Sequence, residues 1–434
     1  MSLLHNAASA DPPDAGALLA RYRQVRACTE ALAAGLEPED QNLQSMPEAS
    51  PIKWHRAHTS WFFETFVLAD ALPGYQSPNP HYRDLFNSYY NAVGEQHPRP
   101  RRALISRPDV HQVAAYRAHV DNAMARLLES LSRDRLASLA PVIELGLNHE
   151  QQHQELMLTD LKHAFSFNPL APPIGNPPRV SDRAPPAVEY VRIPAGIHTI
   201  GAPETGFAFD NERPRHRVLI ENDFEIATRP VSWAEWLQFI DDGAYHDPML
   251  WLSDGWAWRT RENIDAPLYA RRNADGAWEQ FTTTGWRPVD PAAPVSHISC
   301  YEAHAFALWA GARLPTEQEW EIAATSEYAP APDQGHFADS GRWHPEAPQP
   351  DHARLQALFG SVWEWTASPY VPWPGFRAAP GALGEYNGKF MANQIVLRGG
   401  SCATPAGHVR PSYRNFFYPQ DRWQFSGLRL ARDA

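Results

Sequence analysis

Two histidines that stand four positions apart, His149 and His153, are the residues of this chain best suited to hold a metal ion. On a helix, side chains at this spacing share one face with their Cβ atoms roughly 5 to 6 Å apart, close enough to bind a single ion. Apolar residues recur around them at the three- and four-residue steps of a buried helical stripe. Ordinary hydrogen-bonded core histidines are the alternative explanation. The pairing of two imidazoles at this spacing, with carboxylates beside them, favours a metal site.

A third candidate ligand is His58, which lies on the apolar face of a second predicted helix, whereas His55 lies nearer the edge of that face. Helical bundles build metal sites from inward-facing side chains of different helices. Three protein ligands leave coordination positions open for substrates. We therefore predict a metal site formed by His58, His149 and His153. Four carboxylates are candidates to orient these imidazoles through hydrogen bonds, namely Glu64, Glu150, Glu155 and Asp160.

The same segment satisfies the His-Glu-x-x-His pattern of zinc metalloproteases, in which Glu150 would act as the general base. The pattern is short and is often matched by chance. No Gly-x-x-His continuation follows His153, and a protease gives no role to the second half of the chain. A zinc metalloprotease is therefore a remote alternative.

Composition limits the classes of protein to which the chain can belong. Its 434 residues suggest two domains, or three at most. Its net charge of -12 argues against nucleic acid or an anionic membrane surface as the main partner. No basic region followed by an apolar core opens the chain, and no run of about 18 apolar residues occurs. We expect a cytoplasmic protein that acts on small molecules; its oligomeric state does not follow from the sequence. A reducing compartment fits the three separated cysteines, Cys28, Cys300 and Cys402.

The elements that must position the histidines are predicted in the first half of the chain. Apolar periodicity predicts helices near 14–35, 50–70, 108–133 and 136–164. Prolines then become too dense to continue a helix, which predicts an extended linker at 168–187. Beyond it we predict short strands near Glu189–Ile193 and His216–Ile220 and only two helices, near 232–241 and 300–310. The predicted domains are therefore a helical domain with the metal site at 1–167 and a second domain at 188–434.

Several phrases of the second half resemble the formylglycine-generating-enzyme-like domain. In chain order they are Ile193–Gly196, Asn211–His216, Arg313–Glu321, Val362–Trp365, Leu397–Ser401 and Gly427–Ala431. The resemblance implies a C-type-lectin-like domain of mixed α and β structure with long loops. Formylglycine-generating enzymes use two nearby cysteines late in this domain, and Cys402 stands alone in its region. This departure argues against formylglycine formation.

The first half, with His58 and the segment 149–155, resembles a DinB-like four-helix bundle. The two domains in this order resemble the ergothioneine-pathway sulfoxide synthases, also called hercynine oxygenases. The implied fold class is α+β and multidomain, with a DinB-like bundle followed by the lectin-like domain. The implied cofactor is non-haem Fe(II), held by histidines that match His58, His149 and His153. In the implied reaction, O₂ oxidises the sulfur of a thiol while a carbon–sulfur bond forms at the imidazole of hercynine.

The resemblance also implies substrate-binding residues. Gln152 matches a glutamine near bound hercynine, and Arg414–Pro419 resembles a stretch that lines the hercynine site. Asn415 keeps the family's residue type. An aromatic cage would suit the quaternary nitrogen of hercynine, and Phe416, Tyr418 and Trp423 could contribute to one. Phe417 replaces an acidic residue that would meet the amino group of γ-glutamylcysteine, so we predict free cysteine as the sulfur donor. γ-Glutamylcysteine, a selenium donor as in selenoneine synthesis, and histidine as acceptor in ovothiol synthesis stay open as alternatives.

Two further pairs of residues are candidates for chemistry. Tyr89 and Tyr90 resemble the branch of the family that places active-site tyrosines in its first domain, and we predict that one of them is a catalytic general acid. Packing with a hydrogen-bonded hydroxyl is the alternative. Arg99 and Arg102 could bind the carboxylate of the thiol through charge-assisted hydrogen bonds, or could belong to a solvated basic loop.

A non-enzymatic binding module is the remaining alternative, because lectin-like domains can serve as recognition modules beside a structural bundle. This alternative predicts neither tight metal binding nor turnover of a thiol. It leaves the three inward-facing histidines unexplained.

Overall fold

The protein is described here by a computed structural model that covers residues 14–181, 183–349 and 353–434. Its chain forms two compact units. Unit 1 consists of Met1–Ala164, Pro203–Asp210 and Phe376–Lys389, and unit 2 consists of Phe165–Ala202, Asn211–Gly375 and Phe390–Ala434. Two short segments from the second half of the chain therefore belong to the same compact unit as the helices of the first half.

Unit 1 is built on long helices, which confirms the predicted helical bundle. The helices are α1 (Ala15–Ala33), α2 (Ile52–Phe63), α3 (Ala69–Ala71), α4 (Tyr82–Leu85), α5 (Val110–Ser130) and α6 (Arg133–Ser166), with a π-helical turn at Glu64–Leu68 that joins α2 to α3. Asp14 caps α1, and Asp109 opens α5 with a capping box to Gln112. No helix in the described residues is long and apolar enough to cross a membrane.

The contact between α2 and α6 brings the two histidine-bearing helices together. All twelve residues of α2 are buried, so this helix lies inside the unit. Gly146 of α6 lies against α2, where an added Cβ would stand 2.6 Å from Phe63 and 2.9 Å from Phe62. Only a residue without a side chain permits this approach, and Gly146 precedes His149 by about one turn.

Unit 2 is a mixed α/β unit of small sheets joined by long loops, as predicted for the second domain. Its helices are α7 (Trp233–Asp241), α8 (Ser253–Arg261), α9 (Cys300–Trp309) and α10 (Glu317–Ala324). Its strands are β1 (Tyr190–Ile193), β2 (Gly196–Ile200), β3 (His216–Ile220), β4 (Phe224–Ala227), β5 (Ala270–Arg272), β6 (Trp278–Thr282), β7 (Gly285–Pro288), β8 (Trp363–Pro369), β9 (Ile395–Arg398), β10 (Asn415–Phe417), β11 (Ser426–Gly427) and β12 (Ala431–Asp433). They pair in the orders β1-β4-β12, β2-β3, β5-β6-β7 and β10-β9-β8-β11.

The prediction of only two helices in this unit is wrong, because α8 and α10 are also present. Thr316 caps α10 and forms a capping box with Glu319, a signal that the sequence contains. No capping side chain precedes α8, and Gly255 lies within it. Gly255 instead packs closely against Tyr301, so tertiary contacts rather than local propensity stabilise α8.

Buried ion pairs hold the long loops of unit 2. Glu317 accepts hydrogen bonds from Arg414 at 2.8 and 2.9 Å, and Glu364 accepts from Arg429 at 3.0 Å and from Trp320 at 2.6 Å. Removing one partner of such a pair would leave a buried charge without compensation. Arg414 directly precedes β10, so its ion pair anchors the strand that carries the predicted substrate residues.

Candidate metal centre

His58 of α2 and His149 and His153 of α6 come together as the sequence predicted. One ring nitrogen of each lies within 4.8 Å of a ring nitrogen of both others, and in the described residues this is the group found with metal-binding geometry. The Nε2 atoms of His58 and His149 are 3.1 Å apart. His58 and His149 are buried, and His153 is half-buried.

Hydrogen bonds orient two of the three rings so that each presents a lone pair. Nδ1 of His58 donates to the carbonyl oxygen of Phe86 at 2.7 Å, which leaves Nε2 unprotonated in the neutral ring. Nδ1 of His153 lies 2.8 Å from Nδ1 of His55, so its Nε2 is free of that contact. Nδ1 of His149 is buried and has no hydrogen-bond partner among the described residues. Three imidazoles with available nitrogens fit a divalent first-row metal ion.

Burial keeps the triad in the neutral form that binds metal. It lowers the pKa of His149 from its usual 6.5 to about 3. Burial, with the neighbouring His149 adding to it, lowers the pKa of His58 and of His153 well below the usual value. Because a histidine ligand must be deprotonated, the site requires no proton loss before a metal ion binds at neutral pH.

Glu150 is bonded to the interior of the bundle and does not serve the triad. Its carboxylate accepts hydrogen bonds from Arg26 and Arg117, each at 2.9 Å, and from Thr29 at 2.6 Å. Burial by itself would raise the pKa of Glu150, but Arg26 and Arg117 outweigh it and the pKa falls to about 2. A carboxylate held by two arginines is a poor general base, which removes the physical support for the metalloprotease alternative.

His55, which the sequence placed near the edge of its helix face, instead lies buried beside the triad. Its Nδ1 lies 2.8 Å from Nδ1 of His153, and its Nε2 lies 3.1 Å from Oδ2 of Asp160. Asp160 is therefore a carboxylate candidate that connects to a ligand, through His55. Glu64 instead accepts hydrogen bonds from two tyrosine hydroxyls. His55 stands three residues before His58, and this spacing places the two side chains next to each other on a helix. The sequence therefore contains a signal that His55 lies near the triad.

The predicted tyrosines lie stacked in unit 1. The rings of Tyr89 and Tyr90 are 4.6 Å apart at their centroids, and Tyr90 also contacts Trp61 at 5.6 Å. Burial is the main cause that raises the pKa of both phenols above the usual value, so that both are protonated at neutral pH with a wider margin than an exposed tyrosine.

Tyr386, which no pattern in the sequence singles out, is a phenol whose ring contacts the triad. Its hydroxyl donates to Oε1 of Gln152 at 2.5 Å, and its ring packs edge-on against His149 at 5.8 Å. On its other face it stacks on Phe209 at 5.5 Å. Tyr386 belongs to the segment 376–389, which returns to unit 1 from late in the chain. No periodic pattern in the sequence indicates this return.

Two charged residues fasten the segment 376–389 to the turn that carries the predicted tyrosines. The carboxylate of Glu385 accepts hydrogen bonds from the backbone amides of Asn91 at 3.0 Å and Ala92 at 2.8 Å. The ammonium of Lys389 donates to Glu385 at 2.7 Å and also to the carbonyl oxygen of Tyr89. The hydrogen bonds of Glu385 and Lys389 thus join the segment that carries Tyr386 to the turn that carries Tyr89 and Tyr90.

The two predicted arginines differ in their surroundings. Arg99 is exposed and donates to the carbonyl oxygen of Glu48. Arg102 is buried, with its guanidinium 3.4 Å from the ring centre of Trp54 and a hydrogen bond to Ser50 at 2.8 Å. Burial lowers the pKa of Arg102, but an arginine stays protonated in proteins. Its Nε has no partner among the described residues.

Asn415, Phe416 and Phe417 form β10 of unit 2, which pairs with β9. Phe416 stacks on Tyr370 with the ring centres 4.0 Å apart. Phe417 packs edge-on against Trp423 at 5.9 Å. These contacts describe the strand within its own unit, and the predicted substrate roles of the three residues stay predictions.

Comparison with known proteins adds to this geometry. Residues 177–434 match the sulfatase-modifying factor enzyme 1-like domain and residues 21–157 match the DinB superfamily, which confirms both predicted domain types. The chain is 35% identical over 422 residues to the hercynine oxygenase of Mycolicibacterium smegmatis, covering 90% of this chain and 93% of that protein. It is 32% identical over 410 residues to the hercynine oxygenase of Mycobacterium tuberculosis, covering 89% and 92%. It is also 28% identical over 235 residues to ergothioneine biosynthesis protein 1 of Schizosaccharomyces pombe, covering 52% and 28%.

Proposed function

The chain belongs to the hercynine oxygenase family, and we propose that it joins the sulfur of cysteine to the imidazole of hercynine, giving hercynylcysteine sulfoxide for ergothioneine biosynthesis. It is a metal-dependent oxygenase, as its family and its histidine cluster indicate. The observation that carries the proposal is the convergence of three neutral imidazoles from α2 and α6 on one point.

The proposed reaction balances with O₂ as the sole oxidant. A carbon–hydrogen bond of the imidazole and the sulfur–hydrogen bond of the thiol break, and a carbon–sulfur bond forms. One atom of O₂ becomes the sulfoxide oxygen, and the other leaves as water with the two hydrogens. Both substrates and O₂ together supply every atom of the products.

We propose Fe(II) as the metal held by His58, His149 and His153. Three neutral imidazoles leave the full positive charge on the ion and leave coordination positions open. Fe(II) bound there would supply a redox-active Lewis acid able to take a thiolate and O₂. The facing Nε2 atoms of His58 and His149, 3.1 Å apart, support this fit, because two lone pairs at that distance repel each other unless a proton or a metal ion lies between them.

The chain's own contribution to the chemistry is a phenol that can give up a proton. Tyr89 and Tyr90 were the predicted donors, and Tyr386 joins them because it contacts His149 and Gln152. General acids at such positions transfer a proton to a reacting atom in the transition state. We propose that Tyr386 is the catalytic phenol and that Tyr89 and Tyr90 pack behind the site.

Arg102 is the proposed partner of the carboxylate of cysteine. It is a buried cation with an unpartnered Nε, and a carboxylate would both accept its hydrogen bond and compensate its charge. Arg99 could add a second contact from the surface. In unit 2, the apolar ring of Phe417 offers no partner for the amino group of a γ-glutamyl substituent, which favours cysteine over γ-glutamylcysteine.

The test is reconstitution with Fe(II) under anaerobic conditions, followed by air and hercynine with cysteine, γ-glutamylcysteine or a selenium donor in parallel. Histidine replaces hercynine in a further reaction, and products are identified by mass spectrometry. The expected product is the sulfoxide adduct of hercynine and cysteine. An adduct with another substrate alone would contradict the substrate assignment. No adduct at all from iron-loaded protein would contradict the proposed function.

A further inference from the structure

His55 lies between a predicted metal ligand and a carboxylate. One of its nitrogens, Nδ1, is 2.8 Å from Nδ1 of His153, and the other, Nε2, is 3.1 Å from Oδ2 of Asp160. His55 and Asp160 are 2% and 5% exposed, so water does not compete for these contacts. The same Oδ2 accepts a hydrogen bond from the backbone amide of Ser50 at 2.8 Å.

The direction of both hydrogen bonds follows from the chemistry of the partners. An ionised carboxylate can only accept, so the proton of a neutral His55 must stand on Nε2, facing Asp160. Nδ1 of His55 then carries a lone pair and accepts from His153. The proton of His153 is therefore held on Nδ1, and its Nε2 is left with the lone pair that a metal ion needs.

We propose that Asp160 and His55 form a relay that fixes His153 in its metal-binding tautomer. This inference rests on the proposed metal-dependent function and adds two positioning residues to it. His55 and Asp160 touch neither substrate nor metal in this proposal. Their role is to set the proton position and the ring orientation of a ligand.

A comparison of His58 with His153 indicates why only His153 needs the relay to fix its tautomer. The carbonyl oxygen of Phe86 fixes the tautomer of His58 directly, at 2.7 Å. The described residues offer His153 no such carbonyl contact, and its Nδ1 faces another imidazole, which could either donate or accept. Without Asp160 the pair could exchange roles, and the proton of His153 would move to the nitrogen that should bind metal.

Two substitutions of Asp160 can distinguish the effect of its charge from the effect of its hydrogen bonds. Both donors, from Ser50 and His55, reach Oδ2, whereas Oδ1 is buried without a partner among the described residues. Asp160→Asn can place its carbonyl oxygen at the Oδ2 position and keep both contacts. Asp160→Leu cannot keep either.

The test compares His55→Leu, which removes the relay, with His55→Gln, whose amide can accept from His153 and donate to Asp160. Gln154→Leu is the matched control, because Gln154 is a buried residue of α6 that hydrogen-bonds to Val25 and Thr29 and not to the triad.

The first measurement is the affinity for Co(II), by competition with a chelating dye. The second is ¹⁵N NMR of histidine-labelled, metal-free protein, which reports which ring nitrogen of His153 carries the proton.

His55→Leu should weaken Co(II) binding by roughly 10- to 100-fold, the usual effect of losing a partner of a metal ligand. It should also shift the proton of His153 toward Nε2. His55→Gln and Asp160→Asn should retain the wild-type tautomer and most of the affinity, and Asp160→Leu should behave as His55→Leu. Gln154→Leu should leave both measurements unchanged.

An unchanged tautomer and affinity in His55→Leu would overturn the relay. An equal loss in Gln154→Leu or in Asp160→Asn would overturn it too, since general destabilisation or lost charge would then explain the effect. Failure of the proposed function is distinguishable, because it would appear as absence of the adduct in wild-type protein whatever the Co(II) affinities are.

Discussion

The hydroxyl of Tyr386 donates a hydrogen bond to Gln152, a residue 234 positions earlier in the chain. Gln152 stands one position before the ligand His153, and the ring of Tyr386 also contacts His149. A loop from late in the sequence thereby supplies a phenol that contacts a histidine of the bundle. Both residues belong to unit 1, so this relationship is internal to one compact body.

Tyr386→Phe should therefore separate the phenol's chemistry from its packing. The ring can keep its contacts with His149 and Phe209, but the proton donor is lost. We expect adduct formation to fall by roughly 10²- to 10⁴-fold, the usual contribution of a general acid. Consumption of cysteine should continue and yield its sulfinate. Mass spectrometry of both products checks the prediction, with Tyr89→Phe and Tyr90→Phe as comparisons. If Tyr90→Phe alone abolished the adduct, the catalytic phenol would be in the predicted pair.

Glu385→Gln should loosen the segment 376–389. An amide has one acceptor oxygen, so its N–H group would face one of the two backbone amides of Asn91 and Ala92 that the carboxylate now satisfies. We expect slower adduct formation and faster proteolysis within the segment, with little change in the melting temperature of the bundle. Lys389→Arg, which keeps a cationic donor beside Glu385, is the control and should resemble wild type. Unchanged proteolysis would mean that other contacts hold the segment.

Metal binding should stabilise the folded protein by mass action. At a free metal concentration of 100 times the dissociation constant, the gain in the free energy of unfolding is about 2.7 kcal/mol. Differential scanning calorimetry with and without Fe(II), under anaerobic conditions, measures it. His149→Ala should lose the gain. His163→Ala is the control, because His163 lies on the same helix and its Nδ1 is hydrogen-bonded to Ser45. Equal stabilisation of all three proteins would place the metal elsewhere.

Glu150→Gln distinguishes a structural carboxylate from a catalytic one. The substitution removes the buried carboxylate that Arg26 and Arg117 share, while Arg26 keeps its pair with Asp121 and Arg117 keeps its pair with Glu30. We therefore expect a loss of stability that is clear but smaller than the about 3 to 5 kcal/mol that an uncompensated buried charge costs. Urea unfolding measures the loss. Glu144→Gln on the same helix is the control, since the pair of Glu144 with Arg21 at 3.7 Å is partly exposed and should contribute at most about 1 kcal/mol. A stable Glu150→Gln protein would contradict the structural role.

Phe417→Asp should change the preferred sulfur donor. A carboxylate at this position could pair with the amino group of γ-glutamylcysteine, and a hydrogen bond between charged groups contributes about 1.5 to 3 kcal/mol. The ratio of kcat/KM for γ-glutamylcysteine over cysteine should therefore rise by one to two orders of magnitude, roughly. Phe417→Leu removes the ring without adding charge and should leave the ratio near that of wild type. An unchanged ratio in Phe417→Asp would place this residue away from the donor.

The residues that sequence reasoning found are those with strong periodicity. His58, His149 and His153 lie on helices α2 and α6, whose apolar spacing fixes both the helix and the face that turns inward. Periodicity places His55 at the edge of a helix face because it assumes one buried face, whereas α2 is buried on all sides. Which of its polar residues contact α6 depends on helix packing, which spacing alone does not determine.

The residues that sequence reasoning missed are joined by long-range contacts. Tyr386 reaches Gln152 through a loop without repeating pattern, so no local property of residues 376–389 predicts the contact. The helix α10 is different, because its capping box of Thr316 and Glu319 is a local signal that the sequence contains. Local signals thus predict where helices begin. The contact of Tyr386 with a residue far away in the sequence can be seen only in the folded structure.

The glycine at position 146 connects the packing of two helices with the size of ion that can be held. Alanine there would favour the helix by about 1 kcal/mol, but its methyl group would collide with Phe62 and Phe63 and push α6 away from α2. His58 and His149 stand on opposite sides of that contact, so the gap between their nitrogens would widen. We therefore expect that Gly146, about one turn before His149, limits the size of the ion that the site can bind. Glycine at position 146 therefore lowers the stability of α6 as a helix but keeps the nitrogens of His58 and His149 close together.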